Sequence, residues 1–169
     1  MARYAGQYDP TQVSVSIGLP VGPLGIQVAI PNLPAGVAIP WILGGWAPDA
    51  FVAAERTEDA VMPISGADGE TVDSISANEN GTITLTLMDS SVSNVVLSLL
   101  LKALTNKLTP VRFVFPITIT DASSLATVAF SPACTVRKVA PLARGAQTGT
   151  NEWTLNAPNL EIFHAGRVF

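Results

Sequence analysis

Nucleophilic and metal-binding side chains are few and far apart in this chain. His164 is the only histidine, so a Ser/His/Asp or Cys/His catalytic system would depend on one residue close to the C-terminus. The single cysteine, Cys134, lies in "PACTVRKV", a context typical of a small buried strand residue rather than of a nucleophile. Cysteine and histidine together are too few to hold zinc. We therefore predict that the chain is not an enzyme and binds no metal ion.

Two kinds of loop motif could bind ions or phosphate, and neither has the required spacing. In "DGETVD", Asp68, Glu70 and Asp73 could supply oxygen ligands, but they do not follow the pattern of a calcium-binding loop. The stretches "GADGE" and "GAQTGT" contain glycines without the Lys-Ser/Thr that completes a phosphate-binding loop. Both stretches are interpreted as turns, and no cofactor is expected.

A long uncharged stretch separates Asp9 from Asp49 in a chain that is 48% hydrophobic. Its length would suit a transmembrane helix, but the prolines and glycines spread through residues 18–48 would break that helix and leave backbone groups unpaired in lipid. The N-terminus "MARYAGQYDPTQ" also lacks the apolar core of a signal peptide. We expect cytosolic synthesis, no membrane insertion, and a Pro/Gly-rich apolar arm at residues 18–48 that packs against a neighbouring subunit.

Charge is scarce and sorted along the chain. Charged residues make up 13% of the sequence, against roughly 25% in ordinary soluble domains, which suggests that much of the surface becomes interface in an obligate oligomer. Acids dominate residues 55–89 and bases dominate residues 102–144. Such a chain could place an acidic patch of one copy against a basic patch of the next, or the two halves could simply mix in the fold.

The hydrophobic pattern predicts strands over most of the sequence. "QVSVSIG", "GIQVAI", "DAFVAAER", "ETVDSISA", "GTITLTLM", "VRFVFPITIT", "LATVAF", "CTVRKV", "NEWTLNA" and "LEIFHA" are the candidate strands. In "GTITLTLM" the apolar residues alternate with threonine, which predicts one core face and one polar face. The Asn80-Gly81 pair before this strand predicts a hairpin that joins it to "ETVDSISA".

The period changes to that of a helix at about residues 92–106. Ser91 or Ser93 could cap this helix. One apolar stripe comprises Val92, Val95, Val96, Leu99 and Ala103, and the other comprises Leu97, Leu101, Leu104 and Leu108. A helix that is apolar nearly all round should be covered on two sides, by its own sheet and by another subunit. The chain is thus expected to form a single all-β domain over residues 1–169 with one helix, as a sandwich or barrel.

Four blocks of the sequence resemble successive blocks of the phage tail tube proteins, in the branch found in contractile-tailed phages. They are "YDPTQVSVSI", "GWAPDAFVAAERTEDAVMPISGADGE", "NGTITLTLMDSSVSNVVLSLL" and "EWTLNAPNLEIFHAG". Their order and spacing match over about residues 4–30 and 44–166, and residues 81–94 are the most specific. The chain departs from the pattern in two places: "PNLPAGVAIPWILGG" is inserted, and Val92 stands where proline is common.

The resemblance implies both a fold and a function. Members of this family form a small β-sandwich whose sheet joins those of its neighbours into a hexameric ring with a β-barrel channel. The rings stack into the tail tube of the virion, through which phage DNA passes without specific binding. The implied partners are further copies of the chain, the tail sheath, the baseplate and the tail terminator, with assembly in the host cytoplasm.

The resemblance also directs the choice of candidate residues. Basic side chains in a narrow channel would hold the DNA phosphates, so we expect a wall of acids and small polar residues. The channel candidates are Glu70, Asp73, Glu79, Thr82, Thr84 and Thr86. The candidates for contacts between subunits are Leu24, Ile26, Ile39, Trp41, Ile42, Trp46, Leu97 and Leu101.

Two other functions remain compatible with the sequence. A tube protein of a tailocin or of a secretion system would share the fold and differ mainly in whether DNA passes through it. A monomeric β-sandwich binding module would need an exposed aromatic platform, for which Trp41, Trp46 and Trp153 are the candidates.

Overall fold

The computed structural model describes residues 13–19, 39–47, 52–105, 114–121, 126–141 and 149–163. These residues contain ten strands and one helix. In chain order they are β1 (Val13–Leu19), β2 (Ile39–Leu43), β3 (Val52–Arg56), β4 (Val61–Ser65), β5 (Thr71–Ile75), β6 (Gly81–Met88), α1 (Ser93–Leu104), β7 (Phe115–Asp121), β8 (Ala126–Lys138), β9 (Thr150–Ala157) and β10 (Glu161–Ile162). The mostly β architecture with one helix confirms the predicted fold class.

Most strands belong to one antiparallel ladder in the order β2-β1-β7-β8-β9-β6-β3, with β10 beside β8. Strand β8 is 13 residues long and takes part in both halves of the ladder. Its first part pairs with β7 and its last part pairs with β9. The ladder therefore consists of a first layer, β2-β1-β7-β8, and a second layer, β8-β9-β6-β3, joined through β8.

The core lies between the two layers because the strands alternate buried and exposed residues. In β6, Ile83, Leu85 and Leu87 are fully buried, whereas the threonines between them are partly exposed. Phe115 and Ile117 on β7 are also buried and belong to the same hydrophobic cluster. Burying each such side chain contributes roughly 1.5–3 kcal/mol. The alternation in the sequence thus fixes which face of each strand points into the core.

Helix α1 packs against β8 and adds Leu97 and Leu100 to the core. Its first turn is capped by Ser91, whose Oγ accepts the backbone N–H of Ser93 at 3.2 Å. Within the described ranges, no helix is both long and apolar enough to cross a bilayer.

The predicted hairpin between β5 and β6 is wrong. Strand β5 pairs with β4 in a separate two-stranded sheet, and the turn between them contains Gly69 at φ +86°. Strand β6 pairs with β3 and β9. Gly81 is buried, and a Cβ there would collide with the Leu160 side chain and the Glu55 carbonyl oxygen. The Asn80-Gly81 signal therefore marks a close packing point at the start of β6 rather than a hairpin turn.

Candidate functional site

The second layer has a polar face directed away from the core, which we call the threonine face. Cross-strand register defines its members, because directly paired residues share a face of the sheet. They are Ala53 and Glu55 on β3, Thr82, Thr84 and Thr86 on β6, Glu152, Thr154 and Asn156 on β9, and Thr135 and Lys138 on β8. All of them are exposed or partly exposed. The polar residues of four different strands thus form one continuous surface.

The threonine face is chemically suited to hydration rather than to catalysis. Threonine hydroxyls and the Asn156 amide occupy its centre, while Glu55 and Lys138 lie on its two end strands. No three His, Cys, Asp or Glu side chains of the described residues come close enough together to hold a metal ion. Such a surface offers dispersed hydrogen-bonding groups to water and has no concentrated charge.

The structure brings together only part of the predicted channel set. Thr82, Thr84 and Thr86 lie together at the centre of the threonine face. Glu79 is exposed just before β6, and its carbonyl oxygen accepts the Leu160 N–H at 2.7 Å. Glu70 and Asp73 belong instead to the β4–β5 unit, which shares no ladder with β6 among the described strands. The place of these three acids in a channel wall stays a prediction.

Sequence reasoning missed the contribution of β9 to this face. In "NEWTLNA", Trp153 and Leu155 are buried while Glu152, Thr154 and Asn156 point the other way. The same period-2 alternation that identified the β6 threonines was present here. It could have predicted the polar half of β9, although not that β9 lies beside β6.

Residues 61–75, which we call the hairpin, form a second exposed surface. Every residue of β4 and β5 is exposed. Ile64 and Val72 face each other across the two strands and are 60% and 66% exposed. Two-stranded units gain little stability alone, and clustered exposed apolar side chains typically mark interaction surfaces. The hairpin is therefore a candidate contact with another protein surface.

A third surface is the outer side of α1, which we call the helix stripe. It consists of Val92, Val95 and Leu99, which are 68%, 58% and 42% exposed. Leu97 is fully buried in the subunit's own core, which leaves none of its side chain free for the predicted contact with another subunit. Leu101 is partly buried and packs against the same core. The helix does present two apolar sides. The exposed side is the one with Val95 and Leu99, whereas the sequence-based candidates for a contact between subunits, Leu97 and Leu101, lie on the other side.

The candidates from the predicted arm lie in different environments. Leu24 and Ile26 lie outside the described residues, and Ile39 begins β2. Trp41 and Trp46 are partly buried and pack against the subunit's own core, whereas Ile42 is 69% exposed. Residues 39–47 are thus part of the subunit, since β2 pairs with β1 and Leu43 is buried. Among Trp41, Ile42 and Trp46, Ile42 offers the most surface to a neighbour.

The Ser-x-Ser-Asn motif at residues 91–94 ties the helix to three other elements. Ser91 Oγ and Ser93 Oγ both donate to the Gly44 carbonyl oxygen, at 2.5 Å and 3.0 Å. Asn94 Oδ1 accepts the indole N–H of Trp153 at 2.8 Å, and its amide donates to the Met88 carbonyl oxygen at 2.8 Å. These bonds satisfy a buried indole and fix the helix start relative to the threonine face.

Cys134 behaves as a core residue. Its side chain is fully buried. Burial raises the pKa of the thiol to about 11, and a hydrogen bond with Ser131 opposes part of that rise. A thiol with such a pKa stays protonated near neutral pH and is a poor nucleophile.

The chain is similar in fold to proteins of known structure, although it has no significant match among curated sequences. Two similar solved structures are those of proteins that terminate tubes. The sheath/tube terminator of the extracellular contractile injection system PVC, in its extended state, superimposes with a TM-score of 0.52 at 13% identity, covering 95% of this chain and 99% of that chain. The tube-terminating cap of the anti-feeding prophage gives 0.46 at 15% identity, covering 97% of each.

The first of these structures shares the fold of the chain described above. The family model of the bacteriophage PhiTE tail tube protein matches residues 35–164, which is most of the sequence and contains the threonine face, the hairpin and the helix stripe. The resemblance found in the sequence is thereby confirmed. The chain belongs to the bacteriophage PhiTE tail tube protein family.

Proposed function

We propose that this chain is the structural subunit of a phage tail tube, in which copies join side by side into hexameric rings and the rings stack. The threonine face lines the channel, and the opposite side of the second layer is the core of the subunit. One observation carries the proposal: a four-stranded layer presents one continuous polar face while its other face is buried. A sheet of this kind can extend laterally through its end strands into a barrel wall.

The chemistry of the threonine face suits the passage of DNA. Lys and Arg contacts with phosphate create a salt-dependent attraction that would hold a moving duplex. The centre of the face carries threonine, asparagine and Glu152, and the basic Lys138 lies on an end strand. Hydrated hydroxyl groups allow DNA to slide without base-specific or strong phosphate contacts.

The hairpin and the helix stripe are assigned to contacts outside the channel. Both are exposed apolar surfaces on a chain with few charges. In a tube these surfaces are covered by other subunits of the same or the adjacent ring and by the tail sheath. The baseplate and the tail terminator bind the ends of the tube. The proposed role is structural rather than enzymatic, and its place is the virion tail after assembly in the host cytoplasm.

Electron microscopy of the concentrated, purified chain tests this proposal. Rings or tubes with a central channel are expected, and a stable monomer at high concentration would overturn it. A Thr84→Cys variant locates the threonine face. A maleimide on a bead too large to enter the channel should label this variant in dissociated subunits but not in intact tubes, whereas a small soluble maleimide, which can enter the channel, should label it in both states. Equal labelling of Thr84→Cys in both states would place the face outside the channel.

A tube of a contractile injection system is the second candidate function. It is favoured by the fold shared with the PVC sheath/tube terminator. DNA content distinguishes the two candidates: a phage tail tube should be able to release packaged DNA in an ejection assay, whereas an injection-system tube should be produced without DNA-filled heads.

A further inference from the structure

The two end strands of the second layer carry opposite charges on their exposed sides. On β3, Glu55 belongs to the threonine face and is exposed. At the other end of the layer, β8 carries Arg137 and Lys138, both exposed. Glu58 and Asp59 lie two and three residues beyond the end of β3 and are also exposed, so acid dominates that end. Acidic residues therefore lie at the β3 edge of the second layer, and basic residues lie at its β8 edge.

Arg56, the residue after Glu55 on β3, lies on the opposite side of the sheet from Glu55. Arg56 Nε donates to the Leu160 carbonyl oxygen at 3.2 Å. Val52 and Ala54, which alternate with Glu55, pack against the core. The polar side of the β3 edge is thus acidic, because its one basic neighbour is engaged on the side of the core.

The basic edge is shaped by a register shift in β8. Val136 is buried opposite Leu155, and Lys138 pairs with Thr154, so Arg137 is the extra residue of a bulge. This bulge leaves both basic side chains exposed at the edge of the threonine face. The register of β8 with β7 stops at Cys134.

Both edges are open among the described residues. Strand β3 ends the ladder, and no described strand lies on the free side of the β8 segment 135–138. Successive strands in this layer run antiparallel, so β8 and β3 of a rotated copy also run antiparallel when placed side by side. One end of the sheet can therefore accept the other end of an identical sheet.

We infer that the β3 edge of one subunit pairs with the β8 edge of the next, with Glu55 facing Arg137 and Lys138 across the seam. This inference rests on the proposed ring assembly and adds the residues that set its direction. Within one subunit, the row of directly paired residues that starts at Glu55 on β3 crosses β6 and β9 and ends at Thr135 on β8. The row that starts at Ala53 ends at Lys138. A stagger of about two residues, of the kind that barrel closure requires, brings the neighbour's Glu55 level with Lys138.

The pairing also explains how a channel can tolerate basic residues on its wall. Arg137 and Lys138 would attract phosphate if their charges were free. With Glu55 of the adjacent copy beside them, each seam carries neighbouring charges of both signs, and the electrostatic attraction acts within the ring. The acid and the bases thus select the correct neighbour and limit the contact of the bases with DNA.

A charge exchange at the seam tests the inference. Glu55→Lys should raise the protein concentration needed for ring formation about tenfold or more, since like charges then meet at every seam. The pair Arg137→Glu with Lys138→Glu should do the same. Combining all three substitutions restores opposite charges, so assembly should return toward the wild-type concentration. Added salt should relieve either repulsive variant, because screening shortens the range of the repulsion.

Glu152→Lys is the matched control, because it makes the same charge change on β9, within the layer rather than at an edge. It should assemble at nearly the wild-type concentration, and circular dichroism should show every variant folded. If wild-type rings form but the triple variant assembles no better than Glu55→Lys, the seam assignment is wrong. If the wild-type chain forms no rings, the proposed function itself fails.

Discussion

At the scale of single residues, the turn before Trp46 shows how little freedom the chain has near the helix start. Gly45 has φ +76°, and a Cβ at this position would lie 2.6 Å from the Ser91 side chain. Its carbonyl oxygen accepts the Met88 N–H at 2.7 Å. At Gly44, one residue earlier, no neighbouring atom lies within 4 Å of the place that a Cβ would occupy. Of these two adjacent glycines, only Gly45 is therefore held to glycine by its backbone conformation and its close neighbours.

Replacing Gly45 by alanine should destabilise the subunit by about 1–3 kcal/mol, because alanine is strained at positive φ and would displace Ser91 from the helix cap. Chemical denaturation of unassembled subunits, with Glu55→Lys as the common background, measures this difference. Gly44→Ala is the matched control and should cost less than about 1 kcal/mol. Equal losses for the two variants would contradict the steric explanation.

Cys134 should make the stability of the folded subunit depend on pH. Because burial raises the thiol pKa from 9.0 to about 11, the folded state holds this proton more tightly than the unfolded state. The corresponding stability is fully present below pH 9 and is lost as the pH rises from about 9 to about 11. The melting temperature should therefore fall less over this range in Cys134→Ala than in the wild-type protein. Identical slopes would show that the thiol does not contribute.

At the scale of elements, the helix and the hairpin both present apolar residues that the subunit does not bury. The helix places Leu97 against the layers and leaves Val92, Val95 and Leu99 outside. The hairpin exposes both of its faces. Monomeric proteins seldom expose such apolar surfaces to water, so we expect both elements to contact other subunits in the assembly.

An acidic residue on the helix stripe should impair assembly more than folding. Leu99→Asp should leave the melting temperature within a few degrees of the wild-type value while reducing tube formation, because Leu99 is exposed in the subunit. Leu97→Asp should instead prevent stable folding, since it buries an unpaired charge. Sedimentation and circular dichroism separate the two effects.

Ser98→Asp serves as the control on the same helix. Ser98 is exposed beside the stripe, so the substitution adds the same charge without removing apolar surface. It should assemble better than Leu99→Asp. Normal tubes from Leu99→Asp would show that the helix stripe is not an assembly contact.

The hairpin should contribute to assembly through its apolar cross-strand pair. Ile64→Thr with Val72→Thr keeps β-branched side chains but removes apolar surface, so the stability of the subunit should change by less than about 1 kcal/mol. Tubes should become shorter or should need more protein to form, as measured by sedimentation and electron microscopy. Ile64→Val with Val72→Ile keeps the apolar surface and should assemble normally. Tubes of wild-type length from the threonine variant would show that the hairpin does not contribute to the interface.

At the scale of the whole molecule, the threonine face determines what can pass through the proposed channel. Thr84 lies between Ala53 and Thr154 near the middle of this face. Thr84→Lys should leave tubes intact but slow DNA release at low salt, with recovery as salt is raised, because added lysines bind phosphate electrostatically. Thr84→Gln adds length without charge and should release DNA at nearly the wild-type rate. Equal, salt-independent slowing by both variants would indicate steric obstruction instead.

The order of the residues was sufficient to predict the class of the fold and the direction of many side chains. Alternation of apolar and polar residues is a local property, so the residue order alone assigns Ile83, Leu85 and Leu87 to the core and the threonines between them to a polar face. The same reasoning identified the helix and its two apolar stripes. The ordered sequence blocks also identified the family.

Tertiary structure decided which elements are neighbours. The turn signal at Asn80 and Gly81 predicted the wrong partner for β6, because pairing with β3 and β9 depends on residues far away in sequence. The two helix stripes are similarly apolar, and only the packing of α1 against the rest of the subunit decided that Leu97 is buried and Leu99 exposed. The charges on β3 and β8 became opposite edges of one layer for the same reason: hydropathy is set residue by residue, whereas strand order is set by the burial that the whole chain achieves together.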